Sequence, residues 1–194
     1  MLAITLVGCV LAIVSFAMFG LRHGHPVRVE DGAIAVVPLG HPSARALTKV
    51  EAALRRTFRA PVVEFKCAPL PSSAYYEPRH RYRADKLVAY LSRWPNWKVV
   101  GVTERDISTT AHGVEDFGIM GQGQLGGRAC VVSSFRSRAG IGEVAIHEVG
   151  HTLGLPHCAN PNCVMVDANG TGKVAETSRR FCSSCACKIR SWKR

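Results

Sequence analysis

One short stretch of the sequence combines the residue types that bind a zinc ion and use it for hydrolysis. His147 and His151 are four residues apart, so on a helix both imidazoles project from one face and can bind a single metal ion. Glu148 lies on the same turn, where its carboxylate can take a proton from a zinc-bound water and pass it to a leaving amine. The spacing therefore predicts a hydrolytic zinc site carried by a helix.

The residues that follow this helix complete the predicted ligand set. Gly154 allows the backbone to turn sharply, and Pro156 prevents the helix from resuming. His157 can then return as a third ligand, which leaves one coordination position for water, as a catalytic zinc site requires. Three unrelated surface or core histidines are the alternative, but the full pattern is far more specific than His-Glu-x-x-His alone.

An apolar helix face and a methionine agree with this interpretation. Ile141, Val144 and Ala145 give the segment from Gly140 to Leu153 the spacing of a helix. Met165 lies eight residues past the third histidine and fits a turn beneath such a site. A methionine considered alone would indicate simple core packing.

The cysteines are concentrated near the C-terminus. Their clustering, with a Cys-x-x-Cys pair, is more typical of metal binding than of a secreted disulfide framework, which spreads its cysteines through a small chain. A disulfide pair or free core cysteines is the alternative. Five of the eight cysteines lie in the last 37 residues: Cys158, Cys163, Cys182, Cys185 and Cys187.

Taken together, these motifs resemble those of the archaemetzincins, which are zinc metallopeptidases of the metzincin type. The resemblance rests on His147-Glu-x-x-His151-x-x-Gly154-x-x-His157-Cys158, then Cys163-x-Met165, then Cys182-x-x-Cys185. It is specific in the C-terminal third and looser upstream, and it covers the chain from Ile34 to Lys188. It implies a metzincin-like fold, the three histidines as zinc ligands, Glu148 as general base, and a peptide or protein substrate.

The resemblance also implies a second zinc ion, held by Cys158, Cys163, Cys182 and Cys185. Four thiolates form a closed site, which is a common structural zinc site. Two zinc ions per chain are therefore expected, one catalytic and one structural. Cys187 is a spare cysteine that could replace Cys185, and the sequence leaves this choice open.

Strands that alternate with helices predict the elements that position these residues. The alternation indicates an α/β fold, a single metzincin-like domain with a mixed, largely parallel sheet and an active-site helix. We expect Tyr75 to Tyr82 to form a surface loop and Gly121 to Gly127 a flexible rim. The strand from Ala129 to Phe135 is the expected edge to which a peptide substrate adds. The other expected elements are the strands Ile34–Leu39, Val62–Phe65 and Val99–Thr103 and the helices Ser43–Phe58, Ala84–Trp94 and Gly140–Leu153.

The first residues of the chain differ from the rest. Leu2 to Leu21 is a 20-residue run without a charge, long enough as a helix to span the roughly 30 Å of a bilayer core. The sequence thus predicts an N-terminal transmembrane helix as membrane anchor (1–21), a linker (22–33) and a zinc metallopeptidase domain (34–194). Arg22 and Arg28 follow the run, which places the catalytic domain in the cytoplasm by the positive-inside rule. Secretion after signal-peptide cleavage is the alternative.

The chain carries a net charge of +11, and its arginines are scattered without a nucleic-acid-binding motif. We therefore expect no nucleic-acid partner, and membrane contact only through the N-terminal segment. A catalytically weak, zinc-stabilised binding module for a protein or nucleic-acid partner is the alternative function. Glu148 argues against that module, because it has no ligand role and is needed only for proton transfer.

Overall fold

Two β-sheets and four α-helices make up the part of the chain that the computed structural model describes, residues 32–191 apart from 59, 96, 137–139 and 168–179. Two short 3-10 turns, Ser72–Ala74 and Glu77–Arg79, precede β3 and β4. The helices are α1 (Ala44–Thr57), α2 (Ala84–Leu91), α3 (Ile141–Thr152) and α4 (Ser183–Ser191). The strands are β1 (Ile34–Pro38), β2 (Val62–Glu64), β3 (Tyr75–Tyr76), β4 (Arg81–Arg83), β5 (Lys98–Thr103), β6 (Ile107–Ala111), β7 (Val114–Ile119), β8 (Gly121–Gly123) and β9 (Ala129–Ser133).

The larger sheet has the strand order β2-β1-β5-β9-β8. Its first four strands are parallel, and β8 pairs with β9 in the antiparallel direction. Every residue of β1, β5 and β9 is buried, as expected of central strands that are covered by helices on both faces. The prediction of an α/β domain with a mixed, largely parallel sheet is confirmed.

The helices divide between the two faces of this sheet. α1 and α3 pack together on one face, where Gly142 lies so close to α1 that a Cβ atom would stand 2.8 Å from the Cβ of Ala53. α2 covers the other face through Leu87 and Leu91. The helix predicted after Ser43 is present, and the Ser43 hydroxyl caps it by accepting the Ala46 N–H at 3.3 Å.

A second, four-stranded sheet with the order β3-β4-β6-β7 was not expected. The predicted surface loop from Tyr75 to Tyr82 is wrong, because β3 and β4 pair there. These strands have two and three residues and carry little hydrophobic alternation. Ion pairs support them instead, among them the 2.7 Å contact from Arg81 Nε to Asp106 Oδ2. Ion pairs between residues that are far apart in the sequence leave no local sequence pattern from which these strands could be predicted.

Membrane spanning was predicted only for the N-terminus. In the described ranges, no helix is both long enough and apolar enough to cross a bilayer. The predicted anchor from Leu2 to Leu21 lies outside the described residues, as do residues 22–31 of the predicted linker.

Candidate active site

Helix α3 carries the first two predicted ligands and the predicted base. Its residues are buried almost throughout, because it packs between α1 and strands β8 and β9. His147 and Glu148 are 8% and 7% exposed. Polar side chains this deep in a domain require hydrogen-bonding partners, and these partners show how the side chains are oriented.

His147 and His151 point their Nε2 atoms at one another, at a distance of 3.0 Å. Their Nδ1 atoms face away, towards the carbonyl oxygens of Val164 at 2.7 Å and Leu155 at 2.8 Å. A carbonyl oxygen only accepts hydrogen bonds, so each Nδ1 carries the proton and each Nε2 keeps a lone pair. This is the tautomer in which Nε2 binds a metal ion.

The chain reverses after α3 and brings back the third histidine. Gly154 has a φ of +82°, a left-handed conformation that glycine adopts without strain. Its N–H donates to the His151 carbonyl at 2.8 Å, and the Leu155 N–H donates to the Gly150 carbonyl at 3.1 Å. The His157 ring then stands 4.9 Å from the His151 ring, measured between centroids. One ring nitrogen from each of the three histidines lies within 4.8 Å of the others.

Burial keeps the imidazoles of His147 and His151 neutral. It lowers the pKa of His147 to about 4, more strongly than the Val164 carbonyl raises it. Burial is also the main reason that the pKa of His151 is lowered. Neutral imidazoles with converging lone pairs are suitable ligands for zinc, so the donor set fits the metal that the sequence predicts.

Glu148 occupies a narrow space between α3 and β8. Burial raises its pKa to about 8, and a hydrogen bond from the Gly123 backbone N–H acts in the opposite direction. A Cβ atom on Gly121 would stand 2.7 Å from Glu148 Cγ. One on Gly123 would stand 2.5 Å from the Glu148 carbonyl oxygen. Both glycines are therefore part of the site, although their sequence predicted only a flexible rim.

The sheet order shows that the strand predicted to bind the substrate does not lie at an edge. Ala129–Ser133 forms β9, which is bonded to β5 on one side and to β8 on the other, so it is not an edge strand. In the described part of the chain, β8 is the outermost strand beside β9. The prediction failed because Gly-Gln-Gly has none of the β-branched or aromatic residues typical of strands.

The four cysteines Cys158, Cys163, Cys182 and Cys185 form a second group, with sulfur atoms within 4.8 Å of one another. The Sγ atoms of Cys158 and Cys182 are 3.9 Å apart. The Cys182 N–H donates to Cys163 Sγ at 3.3 Å. A backbone hydrogen bond from Cys185 lowers the pKa of Cys182 to about 7, whereas burial raises the pKa values of Cys163 and Cys185. Cys187 is exposed and lies outside the group.

One short segment connects the cysteine group to the histidines. Cys163 belongs to the first, while the carbonyl of Val164 accepts from His147. Met165 packs beneath α3, where a Cβ atom on Gly150 would stand 2.5 Å from its sulfur. The Met165 carbonyl accepts the Cys158 N–H at 2.8 Å. The two groups thus share a single supporting turn.

Comparison with known proteins relates this chain to one family of peptidases. A sequence profile of the family described as Peptidase family M54 matches residues 140–191. The archaemetzincin of Archaeoglobus fulgidus is 35% identical over 146 residues, which are 71% of this chain and 86% of that protein. The archaemetzincin of Halobacterium salinarum is 27% identical over 170 residues, 78% of this chain and 96% of that protein.

Two solved structures extend the likeness to three dimensions. The crystal structure of the Archaeoglobus fulgidus protein, complexed with malonate, has a TM-score of 0.70 and 30% identity and covers 80% of this chain and 99% of its own. The archaemetzincin structure from Methanopyrus kandleri has a TM-score of 0.72 and 27% identity, with 84% and 97% covered. Sequence and fold are therefore similar to those of the same family.

Proposed function

Because the chain belongs to the archaemetzincins and is a zinc metallopeptidase, we propose that Glu148 is the general base of its peptide-bond hydrolysis. The observation that carries this proposal is the position of Glu148, which is buried beside the histidine group. It is not itself one of that group. A buried carboxyl with a raised pKa beside a group of candidate metal ligands is typical of an active site.

The three histidines are the proposed ligands of the catalytic zinc. When bound, zinc supplies a Lewis acid that polarises both water and the substrate carbonyl. Glu148 takes the proton of the attacking water on its carboxylate and delivers it to the departing amine. The Gly123 N–H holds this carboxylate in place while it does so.

We propose a second, structural zinc at Cys158, Cys163, Cys182 and Cys185. Their clustering within 4.8 Å supports this set, and the exposure of Cys187 outside the cluster supports Cys185 over Cys187. Four thiolates would close the coordination sphere and leave no place for substrate. The expected total is therefore two zinc ions per chain.

The substrate is proposed to be an extended peptide added to the outer edge of β8. Peptides commonly bind exposed strand edges through main-chain hydrogen bonds. β8 runs alongside Glu148, through Gly121 and Gly123, so a peptide on its outer side would pass close to the proposed base. The binding-module alternative has less support, because the family is one of peptidases.

We also propose that Leu2 to Leu21 anchors the enzyme in a membrane with the catalytic domain on the cytoplasmic side. The proposal rests on the length of the uncharged run and on Arg22 and Arg28 after it. In right-side-out vesicles the domain should resist added protease. Digestion from outside would show that the proposed orientation is wrong. A mature chain that begins near Met18 would show that the segment is cleaved and is not an anchor.

The general base is tested by Glu148→Gln, which keeps the size of the side chain and removes its basicity. Hydrolysis of a peptide library should fall by about 10²–10⁴-fold, while zinc content and melting temperature stay close to those of the wild type. Glu143→Gln is the matched control on the same helix, where Glu143 faces Arg56 at 3.8 Å. A Glu148→Gln enzyme that cleaves peptides at the wild-type rate would show that the mechanism is wrong.

A further inference from the structure

The three histidines differ in what holds their Nδ1 atoms. His147 and His151 donate to backbone carbonyl oxygens. His157 instead faces a carboxylate, with 3.3 Å between its Nδ1 and Oδ2 of Asp167. We propose that Asp167 is a positioning residue, whose carboxylate accepts the Nδ1–H of His157 and thereby turns its Nε2 towards the zinc. The proposal rests on the proposed zinc site.

His157 needs such a partner more than the other two histidines do. His147 and His151 are fixed by a buried helix, whereas the His157 side chain is 49% exposed and follows a turn. An exposed imidazole in that position loses rotational freedom when it binds a metal. A fixed acceptor on Nδ1 restricts the ring beforehand and selects the tautomer that leaves Nε2 unprotonated.

Asp167 is itself held in place by the segment before it. Three successive residues of that segment are anchored: Cys163 in the cysteine group, Val164 on His147, and Met165 beneath Gly150. Asp167 follows only two residues after Met165. The backbone of Asp167 is therefore kept close to the site that the same segment supports.

A simple surface ion pair is the competing explanation, since the Asp167 side chain is 50% exposed. Such a pair would require a protonated His157 and would contribute little. Zinc binding requires the neutral imidazole instead. A carboxylate that serves the neutral, metal-bound ring strengthens zinc binding, whereas an ion pair with the protonated ring competes with it. The two explanations therefore predict opposite changes in zinc affinity when the Asp167 carboxylate is removed.

The test measures the zinc affinity of the histidine site in the full chain, by competition with a chelator while the cysteine site stays loaded. Asp167→Ala should weaken zinc binding by about 10–100-fold, the usual effect of losing a carboxylate behind a ligating histidine. Asp167→Asn keeps an oxygen that can accept the Nδ1–H and should recover part of the loss. Asp85→Ala, which removes an exposed carboxylate from α2 on the opposite face of the sheet, should change nothing.

Cobalt substitution gives a second readout, because the visible absorption of Co²⁺ reports the geometry of its ligands. The bands of the histidine site should shift in Asp167→Ala and return towards the wild type in Asp167→Asn. Unchanged or tighter zinc binding with unchanged bands would overturn the proposal, as would equal loss of metal from the cysteine site. The zinc site itself is tested separately by His157→Ala, so failure of Asp167 alone is distinguishable from failure of the proposed function.

Discussion

Glu148 can stand against β8 only because the facing residues of that strand have no side chains. Side chains alternate between the two faces of a strand, so Gly121 and Gly123 both face α3, and Gln122 faces away from it. The strand thereby reaches van der Waals distance of the helix, and the Gly123 N–H reaches the Glu148 carboxylate. Two glycines thus determine how the proposed base is oriented.

Gly123→Ala should separate β8 from α3. Its new Cβ would stand 2.5 Å from the Glu148 carbonyl oxygen, and because that oxygen belongs to the backbone, the strand has to move. Displacement of a reacting group by about 1 Å can reduce a rate by about 10²-fold, and overpacking typically costs about 1–3 kcal/mol. Peptide hydrolysis and thermal unfolding measure the two effects.

The control for Gly123→Ala is Gln122→Ala, which changes the same strand without adding an atom towards Glu148. It should leave the orientation of the carboxylate unchanged and preserve most of the activity. If Gly123→Ala cleaves peptides as well as Gln122→Ala does, the close contact between β8 and Glu148 is not required for catalysis.

A buried lysine joins the end of α3 to the sheet. Lys98 begins β5 and is 2% exposed. Its Nζ donates to the carbonyl oxygens of Thr152 at 2.6 Å and Gly127 at 2.7 Å. The loop after β8 is attached to the same helix end, because the Gly126 N–H donates to the His151 carbonyl at 2.9 Å. The zinc-site helix therefore has its last turn tied to two other elements.

The stability provided by Lys98 should depend on pH. Burial lowers the pKa of Lys98 from its ordinary 10.5 to about 8, and the smaller effects of Cys130 and Arg128 oppose each other. Between these two values the unfolded chain binds the proton that the folded chain has released, so the free energy of unfolding rises with pH. The neutral amine still donates to both carbonyls. The wild type should therefore gain stability relative to Lys98→Met from pH 7 to pH 10.

Denaturant unfolding of both proteins across this range measures the difference. Lys66→Met, which removes an exposed lysine, serves as the control and should keep a constant difference from the wild type. A difference between wild type and Lys98→Met that shrinks as the pH rises would mean that the charged ammonium is the stabilising form.

Elements with strong local patterns were predictable, and elements held by distant partners were not. The buried strands β1, β5 and β9 read as continuous apolar runs, and α1 has both its cap and its spacing in the sequence. β8 was missed because its fit depends on Glu148, which comes 25 residues after Gly123. The histidine spacing was predictable because a helix and one turn generate it, whereas the Asp167 contact depends on a separate segment.

The molecule as a whole connects two proposed metal sites through one turn, and the sites have different tasks. The histidine site has an open coordination position and should release its zinc to a strong chelator. The cysteine site is closed, and part of its binding free energy is folding free energy. Cys163 links the two sites along the chain: it belongs to the cysteine group, and the next residue accepts a hydrogen bond from His147.

Cys163→Ser should therefore reduce zinc content, stability and activity together, because loss of the structural zinc releases the turn that holds His147 and Met165. His157→Ala should remove only the catalytic zinc and should damage activity far more than stability.

Elemental analysis should give two zinc ions for the wild type and one for each variant. Cys187→Ser, which changes an exposed cysteine outside the group, should retain both. A wild-type stoichiometry of one, or a Cys163→Ser protein with unchanged zinc and melting temperature, would exclude the structural site. Loss of zinc from Cys187→Ser would instead show that Cys187, and not Cys185, is the fourth ligand.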